Sequence, residues 1–192
     1  MSNAKRVARV VAIVSLAAVR PGAARAQDPW DLANQNVPRL TPAAFRKLPP
    51  QVVAALEARR CTIPQSYADS LSHNVIKGGF FKKGQTDWAV LCSRAQASTI
   101  VIVWGGKSEC PDELEIREDQ SFLRKVPGGG IKFARHVETV DRTYVVTMYQ
   151  RFGGEAPPPI DHQGINDIFE GKGSTIRYCY DGKWLELTGE QE

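Results

Sequence analysis

Asp87-Trp-Ala-Val-Leu-Cys-Ser93 and Thr99-Ile-Val-Ile-Val-Trp104 decide the fold class of this chain. Both runs are apolar at successive positions, so both faces of each strand need cover, as in a sheet with a further layer on either side. The five residues 94–98 between them suit a hairpin loop, and Gly105-Gly106 ends the second run. Upstream, residues 74–81 read as another strand, broken at Gly78-Gly79. Downstream, the runs 174–180 and 183–188 flank Asp181-Gly182, a short-range hairpin signal.

Working outward, residues 131–137 alternate as an exposed strand after the turn Pro127-Gly-Gly-Gly130. Thr143-Tyr-Val-Val-Thr-Met-Tyr-Gln-Arg-Phe152 reads as the longest strand of all. Residues 112–126 mix strand alternation with a helical turn, and Pro157-Pro-Pro159 stiffens the loop that follows Gly153. Toward the N-terminus, residues 51–60 place Val52, Val53 and Leu56 on one side of a helix that stops at Cys61. Thr41 and Pro42 mark a short helical start, as N-cap and first helical residue. The expected class is α+β: an N-terminal helix, then a β-rich core of seven to eight mainly antiparallel strands. No alternation of strands with helices suggests a parallel nucleotide-binding sheet.

The first 26 residues carry a different signal. Lys5, Arg6 and Arg9 precede the apolar run 10–19, and Ala24-Arg-Ala26 places small residues where a signal peptidase reads. The order is that of a cleaved secretory signal peptide, with the cut before Gln27. Ten apolar residues are too few to span a bilayer, which takes about 20. Residues 27–40, polar and interrupted by Pro29 and Pro38, read as a flexible lead-in, and residues 41–192 as one α+β domain. The segment 1–26 holds five basic residues and no acidic one; the remainder carries 20 Lys+Arg against 21 Asp+Glu, a formal charge of −1. No basic stripe is left for nucleic acid.

Cys61, Cys92, Cys110 and Cys179 are even in number and all lie after the signal, as expected for two disulfides in an oxidising compartment. Of the three pairings, Cys61–Cys92 with Cys110–Cys179 is favoured, because it ties the helix end to a core strand and a loop to the C-terminal strand. Separations of 31, 18 and 69 residues do not resemble a zinc-ligand pattern.

Candidate chemistry is sparse. Asp161-His162 with Asp167 and Glu170 forms the main polar cluster, suited either to bracing a turn or to acid–base or metal chemistry. His73 and His136 complete the histidine set with no metal-binding spacing. No nucleophile elbow or phosphate loop is present, and neither a metal nor a cofactor is expected. Trp88, Trp104, Trp184, Tyr144, Tyr149, Tyr178 and Tyr180 serve either as core or as a ligand face, with packing the commoner role in strands.

Two stretches resemble a group of uncharacterised exported bacterial proteins: Val75-Ile-Lys-Gly-Gly-Phe-Phe-Lys-Lys-Gly-Gln-Thr-Asp-Trp-Ala-Val-Leu-Cys92, and the segment from Ile160-Asp-His-Gln-Gly-Ile-Asn-Asp-Ile-Phe through Gly182-Lys-Trp184. The first also resembles one copy of the FG-GAP or VCBS repeat, in which an acidic loop leads to Asp-x-Ala-Val. That resemblance implies a calcium loop, but residues 81–87 offer two lysines and a single carboxylate, whereas calcium takes six to eight oxygens. A propeller needs about 40–50 residues per blade, more than this length allows.

The expectation is therefore an exported, periplasmic or secreted, non-enzymatic domain. It would bind a protein, an envelope component or a small ligand, with no transmembrane span and no nucleic-acid partner. The alternative is an exported hydrolase or metal-dependent enzyme using Asp161 and His162.

Overall fold

The computed structural model describes residues 27–68, 72–154 and 156–191. The segment 1–26, read as the export signal, lies outside them. Among the described residues there are three α-helices and twelve strands, and every strand pairing is antiparallel. The protein is thus mostly β. Most of the strands not expected are two- or three-residue pieces that hydropathy does not mark, but the six-residue strand Gly164–Phe169 is also absent from the sequence reading.

The lead-in is ordered rather than extended. Helix α1 (Pro29–Gln35) starts where the Asp28 carboxylate accepts from the Trp30 N–H, and it buries Asn34. Strand β1 (Arg39–Leu40) pairs with β2 (Ile63–Pro64), and Arg39 reaches the buried Asp119 at 2.7 Å. This order comes from tertiary docking, since seven residues without a period are a weak helix on their own. The helix expected over 51–60 is α2 (Pro50–Ala58), with a proline as its first residue, and the short helical start at Thr41-Pro42 is a 3₁₀ turn (Pro42–Ala44).

Strands β3 (Val75–Gly78), β4 (Asp87–Arg94), β5 (Ala97–Val103) and β6 (Arg117–Glu118) form the first sheet in that order. The β4–β5 connection is tighter than the expected five-residue loop. Only Ala95 and Gln96 turn, both with positive φ, as a two-residue hairpin of this hand requires. A second ribbon joins β7 (Leu123–Lys125) to β8 (Ile131–Phe133) around the Gly128–130 turn.

The second four-stranded sheet runs β12 (Lys183–Gln191), β11 (Gly173–Tyr180), β10 (Gly164–Phe169), β9 (Arg135–Val140). The run expected as one exposed strand over 131–137 is divided at Ala134, whose N–H turns to Phe122, and its second half is largely buried.

One expectation is overturned. Residues 143–152 are not the longest strand but helix α3 (Arg142–Phe152). Val145, Met148, Tyr149 and Phe152 recur at helical spacing, and the Asp141 carboxylate caps the Tyr144 N–H. Gly153, at φ 72°, closes the other end. β-Branched residues and tyrosines favour strand locally, but the caps and the spacing prevail.

Alternating strand residues build four layers. Leu56, Val52 and Ile63 under α2 pack on Val90, Cys92 and Val101 of the first sheet. Ala89, Leu91, Ile100 and Ile102 on its other face meet Val137 and Ile165 of the second. Ile176 and Tyr178 then face Val145 and Met148 of α3. The order is helix, sheet, sheet, helix, which is why the runs that open the sequence reading are apolar on both faces. Disulfides Cys61–Cys92 and Cys110–Cys179 tie α2 to β4 and the β5–β6 connection to β11.

Candidate functional site

The four polar residues grouped by sequence separate into three places. Asp161 and His162 sit just before β10. His162 is buried, with Nδ1 2.9 Å from the Gln163 carbonyl and Nε2 2.9 Å from the Cys179 carbonyl. Its ring lies parallel to Tyr178, centroids 4.2 Å apart. Asp161 is exposed, its nearest carboxylate oxygen 3.9 Å from His162 Nε2, and its main-chain N–H donates to the Tyr178 hydroxyl. Burial raises the Tyr178 phenol above its ordinary pKa, so it stays protonated and can donate to the Asp161 carboxylate at 3.2 Å. Each His162 nitrogen faces a main-chain carbonyl, to one of which a neutral ring donates, and with the stack on Tyr178 this braces the turn into β10.

Gln163 extends this brace. Its N–H donates to the Gly79 carbonyl and its side-chain carbonyl accepts from the Gly79 N–H, clamping the loop 79–86 to the start of β10. Asp87, fully buried, holds the same loop from the other side, accepting from Phe80 N–H, Gly105 N–H and the Gln85 amide at 2.7–2.9 Å. The aspartate of the Asp-x-Ala-Val stretch therefore spends its lone pairs on protein N–H groups. Gly105 is required there, because a β-carbon would stand 1.9 Å from the Thr86 carbonyl oxygen.

Glu170 lies 3.4 Å from His136 Nδ1, and Glu138 flanks the ring at 3.8 Å. Burial lowers the His136 pKa despite these carboxylates. His73 accepts from the Ser66 N–H. Among the described residues no three histidine, cysteine or acidic side chains are grouped to hold a metal ion.

Asp167 belongs to a set that sequence reading missed. Arg135, Asp167, Arg177 and Glu186 come one from each strand of the second sheet and share a face, alternating in charge. Arg135 is bidentate to Asp167 with both contacts at 2.8 Å, bonds Ser98 from the first sheet, and lies over the Phe122 ring. Arg177 pairs with Glu186 and stands 3.9 Å from Asp167. The signal available was period 2 alone: a basic or acidic residue at an inward position of each strand, invisible until the register is known.

Most aromatics pack. Trp104 stacks on Trp184, whose indole N–H donates to the Pro111 carbonyl, and the Tyr144 hydroxyl accepts from Asn166 under α3. Tyr149 and Tyr180 differ. With Val145, Pro157, Pro158, Leu185 and Leu187 they line a cleft of about 430 Å³ between α3 and β12. Neither phenol has a hydrogen-bond partner among the described residues, and Tyr180 is exposed. An apolar wall with a few unspent polar groups is the usual make-up of a small-ligand site.

No family model matches the chain, and neither the curated proteins nor the solved structures contain a significant match. Among the described residues no helix is long and apolar enough to cross a membrane.

Proposed function

We propose that this chain is an exported binding domain, periplasmic or secreted, that takes a small ligand in the cleft between α3 and β12 and performs no chemistry on it. The observation that carries the reading is a contrast between two places. His162 is buried with each ring nitrogen facing a backbone carbonyl at 2.9 Å, whereas Tyr149 and Tyr180 present free phenols over an apolar wall. A general base or metal ligand needs a lone pair open to its target. Asp161 and His162 line a cleft beside residues 79–86, but both His162 nitrogens are covered by carbonyls at 2.9 Å. Two disulfides fit an oxidising compartment. A ring-bearing ligand with hydroxyls suits the site, since phenols supply stacking faces and hydrogen bonds together.

The test is native mass spectrometry of the protein recovered from a bacterial periplasm, before and after reduction. The expected species starts at Gln27, has no free thiol, and carries a small-molecule adduct that the Tyr149→Ala/Tyr180→Ala variant loses. Retention of residues 1–26 or four free thiols would overturn the export reading. Substrate turnover that His162→Gln abolishes, in a variant still folded, would overturn the non-enzymatic one.

A further inference from the structure

The charged face of the second sheet holds an imbalance. Two guanidiniums, Arg135 and Arg177, are buried beside one buried carboxylate, Asp167, with side chains 2%, 8% and 8% exposed. Asp167 is already committed on both oxygens to Arg135, and its 3.9 Å separation from Arg177 is too long for a hydrogen bond. Glu186 does pair with Arg177, but its side chain is 58% exposed, so water screens much of its charge. The Arg177 Nε–H has no acceptor. Burial acts most strongly against the Arg177 charge, Asp167 next supports it, and the neighbouring guanidiniums of Arg117 and Arg135 oppose it, the net effect lowering its pKa. Glu186 balances the set formally, but buried polar groups are ordinarily hydrogen-bonded, and the Arg177 Nε–H lacks an acceptor.

The space for one lies alongside. A pocket of about 240 Å³ is lined by Arg177, Asp167, Lys172, Arg117, Ser174 and Thr175, with Phe122 and Phe169 as its apolar wall. Lys172 and Arg117 are exposed at this site, and Arg117 already shares Glu115. We propose that this pocket binds a small oxyanion, a carboxylate or a phosphate, which accepts from the unpartnered Arg177 Nε–H and lies beside Lys172 and Arg117. Oxygen pairs match the planar fork of a guanidinium, and the Thr175 hydroxyl, on the same face as Asp167, adds a further donor. The site lies on the opposite face of the sheet from α3 and stands independently of the cleft beneath that helix.

The test titrates the oxidised protein with sodium phosphate and, separately, with sodium acetate, following backbone amides and arginine Nε–H groups by ¹⁵N NMR. Saturable shifts at residues 172–175 and at the Arg177 Nε–H are expected. Lys172→Glu reverses a charge at an exposed side chain and should weaken the affinity about fivefold or more. Arg177→Met should remove saturation; should it fail to fold, the Lys172→Glu comparison still decides. Saturation by phosphate alone assigns the site to phosphate-type anions, and saturation by acetate extends it to carboxylates; either supports the proposal. No saturable shift with either anion, or an unchanged affinity in Lys172→Glu, overturns it.

Discussion

His136 shows how a single residue can carry pH dependence without catalysis. Its ring is half-buried beside Glu170 and Glu138, with His73 and Asp167 also acting on it, and desolvation is the largest influence. The folded pKa therefore falls below the ordinary value of 6.5. For a depressed histidine, the unfolded chain binds the proton first as pH falls. Its share of stability is complete above about 6.5 and is lost as pH drops through the folded value. In urea melts across this window, the wild type should lose stability more steeply than His136→Gln. Equal slopes for the two proteins would contradict the assignment. Asp87 and His162 belong at the same scale: each is a polar group that sequence offers as chemistry and that the fold spends on main-chain partners. Nothing in the local sequence distinguishes these outcomes, because the partners of His162 include Cys179, 17 residues away.

At the scale of elements, α3 is the instructive case. Its composition of Thr, Tyr and Val matches a strand, and only the 3.6-residue recurrence of Val145, Met148, Tyr149 and Phe152 argues otherwise. The Asp141 cap and Gly153 terminate it in the manner of a helix. Asp141→Ala should lower stability by about 1 kcal/mol in chemical denaturation, in the range for a lost N-cap. An unchanged midpoint would mean that packing under α3, and not the cap, sets the helix start. The strands around Asp87 and the Asp181-Gly182 hairpin lie where the alternation and turn residues place them. Helix α1 was illegible for the opposite reason to α3: it carries no period at all, and its order depends on distant partners such as the β8 ribbon and Gln120, whose amide donates to Asp31.

The whole molecule is held by two cross-links over four layers. Cys61–Cys92 spans 31 residues and Cys110–Cys179 spans 69, so the second restricts the unfolded chain more. In the chain-entropy view each contributes roughly 2–5 kcal/mol, and the longer loop about 0.7 kcal/mol more than the shorter. Replacing Cys110 and Cys179 by alanine should therefore lower stability more than replacing Cys61 and Cys92, as read from urea midpoints at equal m-values. The reverse order would indicate that packing of α2 against β4 depends on its cross-link for more than chain entropy.

By itself the sequence determined that the chain is β-rich, that its central strands are covered on both faces, where its tight hairpin turns, and that four cysteines are available for two bridges. These are properties of neighbours in the chain: side-chain period, turn residues and counts. Only the tertiary structure decided that 143–152 is a helix lying over the second sheet and that residues 29–35 are ordered. It also decided that Asp161, Asp167 and Glu170 part company. Each of these depends on register and on contacts between residues far apart in sequence. The row Arg135, Asp167, Arg177, Glu186 exists only once four strands are aligned, and a one-residue slip in any of them would turn its charge to the opposite face.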